Sequence, residues 1–335
     1  MKKLRIVWMD DNLRRVRSFK DVIEAGGKYK ATLEPEQIRD NALEWLSGWV
    51  EDNRSRPPDL IIIDHVFNMS LPFGLKGSSV AHLLRRQLPS TPMVCVTAMF
   101  DHPKSFNQED ISEYSALFLY NHLSDHIEDI YAIAKDFRKL TIGRGKVREH
   151  IVKTLKAPVR DQQDLLRVLP DEFRDERHST TEHRMAWWIY NTLLQRPGFL
   201  YDRLHAATLL GLTESGFEKV ESQFEAAKYK GIFATSGNPR WWVSELTQVL
   251  FKLVEPDAPD LPQYAGRTLK GIGRQDHSVC YVSKSADPAP DAIVDTDATH
   301  SSKRRVVRRE FSDRHPADPG TTPGFDVRLI LKKTK

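Results

Sequence analysis

The sequence predicts an α/β protein: a doubly wound parallel sheet of five strands in its N-terminal part, then a helical domain and a small β-containing C-terminal region. Three observations predict it. Short apolar runs at Leu4–Met9, Leu60–Ile63 and Met93–Val96 each end in polar residues, namely Asp10–Asp11, Asp64 and Thr97. Amphipathic stretches of helical length, such as Leu13–Ile23 and Ser78–Leu88, lie between the runs, the alternation expected of βαβ units around a buried parallel sheet. The chain has 335 residues and 38.5 kDa, enough for two or three domains.

Composition narrows the class further. The chain is 40% hydrophobic and 29% charged, with a mean hydropathy of −0.50, and it lacks an apolar run long enough to span a membrane. The opening MKKLRIVWMDDN reaches acidic residues too early for a signal peptide. Two cysteines, Cys95 and Cys280, exclude a four-cysteine zinc site and a disulfide framework, so the expected setting is reduced and cytoplasmic. The net charge of +4 is small and unevenly spread. Residues 1–143 carry 19 Lys/Arg against 20 Asp/Glu, whereas residues 303–335 carry 10 against 4.

In a parallel sheet, function collects at the carboxyl ends of the strands, which is where Asp10, Asp11, Asp64 and Thr97 fall. Converging carboxylates make a hard oxygen pocket suited to Mg²⁺. Asp64 beside such a cation can act as a nucleophile toward a phosphoryl group, and Thr97 can hydrogen-bond the product. A lone Asp at a strand end is ordinarily a turn or capping residue. The pair, the Asp and the Thr in this order on three successive strands point to chemistry instead.

Residues 1–143 resemble a response-regulator receiver domain, through the acidic pair of IVWMDDN, the acceptor of LIIIDHVF and the threonine of MVCVTAM. The resemblance implies that Asp10, Asp11, Asp64 and the Val66 carbonyl hold Mg²⁺, that Asp64 accepts a phosphoryl group and that Thr97 is the switch. Phe118, on an expected fifth strand Ala116–Tyr120, falls at the switch aromatic. A histidine kinase of a bacterial two-component system is the implied partner. Two features depart from the family. The lysine expected after the fifth strand is missing from LFLYNHLS, and no Lys or Arg occurs between Lys104 and Lys135. Lys104, after Thr97, supplies that charge only if its loop folds back. The loop after Asp64, HVFNMSLPFGLKGSS, is also longer than usual.

Residues 144–178 read as a helical connector, with Val147, Ile151 and Leu155 spaced by four and interruptions at Pro158 and Pro170. Ser179 and Glu182 form an S-x-x-E capping box for a helix with Met185, Trp188, Ile189 and Leu193 on one face. Two further helical patterns join at Gly211-Leu212-Thr213, the second with Phe217, Val220, Phe224 and Ala227 on one stripe. TSGNPRWWVSEL then suits a β-hairpin around Gly237–Pro239. Residues 179–254 thus resemble a winged-helix domain. The expected recognition helix is rich in glutamate, and the domain holds 8 Lys/Arg against 7 Asp/Glu, without the excess a DNA reader shows. Arg203, Lys219, Lys228, Arg240 and Trp241 are its candidate contacts with nucleic acid or a protein partner.

Residues 255–335 read as a linker and a basic β-containing region: a short strand at His277–Ser283, a polar loop at 285–302, the run KRRVVRREF and a final strand at Phe325–Leu331. Arg304, Arg305, Arg308 and Arg309 are the candidate phosphate or acidic-partner contacts there. Two functions stand at this point. One is a phospho-acceptor receiver controlling a winged-helix output, a transcriptional regulator that dimerises and touches DNA through wing and tail. The other is a pseudo-receiver adaptor whose two domains make protein contacts in an assembly. A catalytic role for the C-terminal region has no motif behind it, so the chain reads as a non-enzyme.

Overall fold

The apolar runs are too short for buried helices and form instead the inner strands of one sheet. In the computed structural model the sheet consists of β1 (Leu4–Asp10), β2 (Ala31–Gln37), β3 (Leu60–Asp64), β4 (Met93–Thr97) and β5 (Ala116–Leu119), of which β1, β3 and β4 are the inner strands. The structure describes residues 3–25, 30–38, 41–67, 76–98, 112–141, 147–170, 173 and 181–278, and the backbone strands 292–295 and 305–308. All four pairings of the sheet are parallel and the order is β2-β1-β3-β4-β5. Every residue of β3 and β4 is buried, as near-continuous apolar strands covered on both faces require. β2 was not legible as a strand because its sequence, ATLEPEQ, is half polar and contains Pro35; it lies at the sheet edge, where proline is tolerated.

The helices flank this sheet. The expected single helix over Leu13–Ile23 is two, α1 (Leu13–Ser18) and α2 (Lys20–Ala25), broken at Phe19. Asn12 caps α1, its side chain accepting from the N–H groups of Arg14 and Arg15. α3 (Ala42–Arg54) and α4 (Gly77–Gln87) bury Leu46, Trp49, Val50, Val80 and Leu84 against Val7, Met9, Ile61 and Ile63. After β5 the chain turns through a 3₁₀ segment, Tyr120–His126, into α5 (Ile127–Asp136). One compact unit consists of residues 1–155 with 170–192 and 231–237; a second consists of 156–169, 193–230 and 238–335. α6 (Val147–Leu155) belongs to the first and α7 (Val159–Val168) to the second.

α8 (Thr181–Trp188) continues as a π-helical turn, Ile189–Leu194. Ser179, expected to cap it, lies outside the described residues. The second unit then contains β6 (Leu200–Tyr201), α9 (Arg203–Leu209), α10 (Glu214–Val220), a 3₁₀ turn at Glu221–Ala227, β7 (Trp241–Trp242) and α11 (Val243–Leu253). Asp202 caps α9 by accepting from the His205 N–H at 2.9 Å, and Thr213 caps α10 by accepting from Gly216 at 3.0 Å. Gly211 makes the turn between them at φ +67°, where a Cβ would also lie 2.2 Å from the Gln263 carbonyl oxygen. The stripe Phe217, Val220, Phe224 and Ala227 is buried with Trp241, Leu246 and Leu250.

Around the hairpin expected at Gly237–Pro239 the flanking chain meets as an isolated antiparallel bridge, Lys228 opposite Trp241, with the Tyr229 N–H donating to the Arg240 carbonyl at 2.7 Å. β7 pairs antiparallel with β6, Leu200 opposite Trp242 and Tyr201 opposite Trp241, and the residues after it are helical. The two tryptophans are β-formers by type, but their indoles are core rather than wing. Of the strand expected at His277–Ser283, His277 makes an isolated bridge to Leu212, and residues 279–283 lie outside the described residues. The 285–302 segment, read as a loop, holds β8 (Ala292–Asp295), which pairs with β9 (Arg305–Arg308). The strand expected at Phe325–Leu331 lies outside the described residues. Among the described residues no helix is long and apolar enough to cross a membrane.

Candidate functional site

The parallel sheet brings the ends of β1 and β3 side by side, Met9 opposite Ile63, so the residues that follow face one another. Asp10, Asp11 and Asp64 converge there, with one carboxylate oxygen from each within 4.8 Å of the others. Asp10 is wholly buried and Asp64 is 3% exposed, so their charges are poorly hydrated. Burial pushes the Asp10 carboxyl up to about 7; the Asn12 N–H, at 2.7 Å from Oδ1, works against this and the Asp64 charge adds to it. Burial likewise raises Asp64 to about 6, with the Arg15 guanidinium and the Val66 N–H holding it down. Three acidic groups packed this closely call for a cation.

One cation is already present, and sequence reasoning missed it. Arg15 Nη1 donates to Asp64 Oδ2 at 2.7 Å and lies 3.8 Å from Asp10 Oδ2. α1 positions it: the Asn12 cap fixes the first turn, and Arg15 sits one turn in on the face above the strand ends. Burial works against the charge of Arg15, but Asp10 and Asp64 more than offset it and raise its pKa. Tyr120, the residue just past β5, packs its ring 5.7 Å from the guanidinium carbon and donates its hydroxyl to the Arg15 carbonyl at 3.5 Å. Phe19 packs edge-on against Tyr120 at 4.8 Å. The only signal in the sequence was helical spacing from Asn12, which is too common to single out one arginine among Arg14, Arg15 and Arg17.

Asp10 Oδ2 is buried with no hydrogen-bond partner among the described residues. That orphaned oxygen, with two more carboxylates beside it, fits a hard divalent cation such as Mg²⁺. Val66 reaches the cluster through its N–H to Asp64. Thr97 ends β4, 2% exposed, one residue beyond the Asp64–Val96 pair. Phe118 is buried, its ring 5.5 Å from Tyr190, whose hydroxyl donates to Asp129 at 2.8 Å. Gly77 opens α4 hard against the chain that follows β3: its N–H donates to the His65 carbonyl at 2.9 Å, and a Cβ would lie 2.0 Å from the Asp64 carbonyl oxygen. Lys104 lies outside the described residues.

The expected contact residues of the second unit are engaged within it. Trp241 is fully buried and Arg240 nearly so, donating Nε to the Leu194 carbonyl at 2.8 Å, which corrects their reading as wing contacts. Indole and guanidinium are used here for packing and for satisfying a helix-end carbonyl. Arg203 pairs with Glu218 and Glu221, Lys219 with Asp276, and Lys228 with Glu221 and Glu225. Arg305 and Arg308 lie on β9, described by its backbone; Arg304 and Arg309 lie outside the described residues.

Strand order and all-parallel pairing define a doubly wound α/β fold of the 2-1-3-4-5 type, with an acidic cluster at its carboxyl edge. The chain resembles the signal receiver domain of the response regulator NarL from Mycobacterium tuberculosis (19% identity, TM-score 0.31, 40% of this chain and 98% of that one). It also resembles TrrA of Thermotoga maritima, solved with Mg²⁺–BeF (15% identity, TM-score 0.28, 38% and 98%). A third likeness is to the RcsB response regulator of Salmonella typhimurium (12% identity, TM-score 0.29, 56% and 99%). No family model and no curated protein matches the chain.

Proposed function

We propose that the first unit is a phospho-acceptor receiver and that the chain is a signalling protein whose second unit is the output. The observation that carries this is the cluster of buried Asp10 and Asp64 with half-buried Asp11 at the strand ends, with one orphaned oxygen on Asp10. Asp10, Asp11, Asp64 and the Val66 carbonyl would hold Mg²⁺, which when bound supplies neutralising charge for an incoming phosphoryl group. The ionised Asp64 carboxylate, oriented by the Val66 N–H and Arg15, attacks phosphorus. A P–O bond forms as the bond to the donor breaks, and the leaving group departs with its electron pair. Thr97 and Phe118 sit at the next two strands to answer the new charge, biasing a two-state equilibrium.

Protein contact rather than DNA is the output that the second unit favours. Its helix α10 begins with Glu214 and carries Glu218, and its cations Arg203, Lys219 and Lys228 are spent on internal carboxylates. A helix face so neutralised gains little from phosphates.

Beryllofluoride with Mg²⁺ tests the receiver reading: it changes tryptophan fluorescence or hydrodynamic size of the wild type and not of Asp64→Asn. An unresponsive wild type refutes it. Titration of random duplex DNA at rising salt tests the output; salt-dependent binding refutes the preference for a protein partner.

A further inference from the structure

We infer that Arg15 is the phosphoryl-binding cation of this site, delivered from α1 in place of a lysine beyond β5. The inference rests on the phospho-acceptor reading above and adds a residue to it. Any phosphorylated carboxylate carries excess negative charge on its terminal oxygens and needs a cationic donor beside the metal. The sequence offers no Lys or Arg between Lys104 and Lys135, and the residues after β5 are Tyr120 and Asn121.

Arg15 meets the geometric requirements. Its Nη1 is 2.7 Å from the oxygen of Asp64 and 3.8 Å from Asp10 Oδ2, so it already bridges the acceptor and the expected metal ligand. Its side chain is 24% exposed, open enough for a ligand to reach and buried enough for the charge to act strongly. Guanidinium has five donors in a planar fork, so one edge can keep its hold while another turns to two phosphoryl oxygens. Tyr120 braces it: the ring lies against the guanidinium, the hydroxyl donates to the Arg15 carbonyl, and Phe19 packs edge-on against the tyrosine. The first residue past β5 thus positions the guanidinium. Arg15 is a ligand-binding residue in this scheme and Tyr120 a positioning residue.

The test uses the full chain and two equilibrium titrations, Mg²⁺ alone and beryllofluoride at saturating Mg²⁺, read by calorimetry. Arg15→Ala weakens beryllofluoride binding about 10- to 100-fold, the span of one or two charge-assisted hydrogen bonds, while Mg²⁺ binding alone holds or tightens because a competing cation has gone. Arg15→Lys recovers part of the loss, and Tyr120→Leu, which leaves the charge but removes the brace, gives a smaller loss. Circular dichroism confirms that each variant is folded. Wild-type binding with an unchanged Arg15→Ala overturns the role of Arg15 and leaves the receiver reading standing. No binding by the wild type overturns both. Equal weakening of both titrations by Arg15→Ala also overturns it, because the arginine would then be shaping the pocket rather than meeting the phosphoryl group.

Discussion

Removing the charge of Asp10 stabilises the metal-free protein. The Asp10 carboxyl takes its proton near pH 7 rather than at its ordinary 3.8, chiefly through burial and then the Asp64 charge. The folded state therefore binds this proton more tightly than the unfolded chain. That raised value adds stability at low pH, and the contribution is lost as pH rises from 3.8 through about 7. Keeping the group ionised above that range costs about 4 kcal/mol as a ceiling, from about 1.4 kcal/mol for each tenfold change in proton affinity. Asp10→Asn keeps an oxygen for the Asn12 N–H and removes one of three clustered charges. In EDTA at pH 8 it unfolds at higher urea than the wild type, by about 2–4 kcal/mol, and at pH 5 the gain shrinks. Adding Mg²⁺ reverses the order, because the wild type gains binding energy that the variant has lost. A variant less stable than the wild type in EDTA at pH 8 refutes the claim that the pocket is electrostatically strained without a metal ion, Arg15 notwithstanding.

Other expectations follow from single sites. Gly77→Ala drives a Cβ to 2.0 Å from the Asp64 carbonyl oxygen, so it lowers stability by about 2 kcal/mol or more in urea titration and disturbs the chain that follows β3. His183 is fully buried, and burial followed by the Arg85 charge lowers its pKa from 6.5 to about 3. Unfolding therefore takes up a proton below pH 6.5, and stability falls toward pH 3 by up to about 1.4 kcal/mol per pH unit; His183→Gln flattens that limb of the urea profile. Trp241→Ala empties a fully buried indole site against Phe217 and costs about 3–5 kcal/mol in the second unit, seen as a lower unfolding midpoint.

The inner strands of the sheet could be read directly because burial on both faces leaves a strand no choice but a continuous apolar run. Leu60–Ile63 and Met93–Val96 show this, and the carboxylates that end Leu4–Met9 and Leu60–Ile63 are the ones that converge. β2 escaped because an edge strand keeps polar residues and a proline. Arg15 escaped because its role depends on which side of α1 lies over the strand ends, a tertiary fact. Trp241 misled for a related reason: aromatic residues beside an arginine suit a contact surface and a core equally well, and only packing against Phe217 and Leu246 decides. Gly77 shows the same limit, since its close approach to Asp64 is made by backbone.

The edge position of Pro35 has a consequence for how copies of the chain can associate. β2 is the outermost strand, with Pro35 opposite Trp8 of β1 and Glu34 held by Arg5. A proline nitrogen cannot donate, so a strand arriving alongside meets an interrupted row of donors flanked by carboxylates. Lateral growth of the sheet is blunted there, as is cross-β templating from that side. Self-association that uses this end of the first unit is then a matter of side chains on helices, which an added charge can reverse, rather than of a backbone seam that would be slow to part.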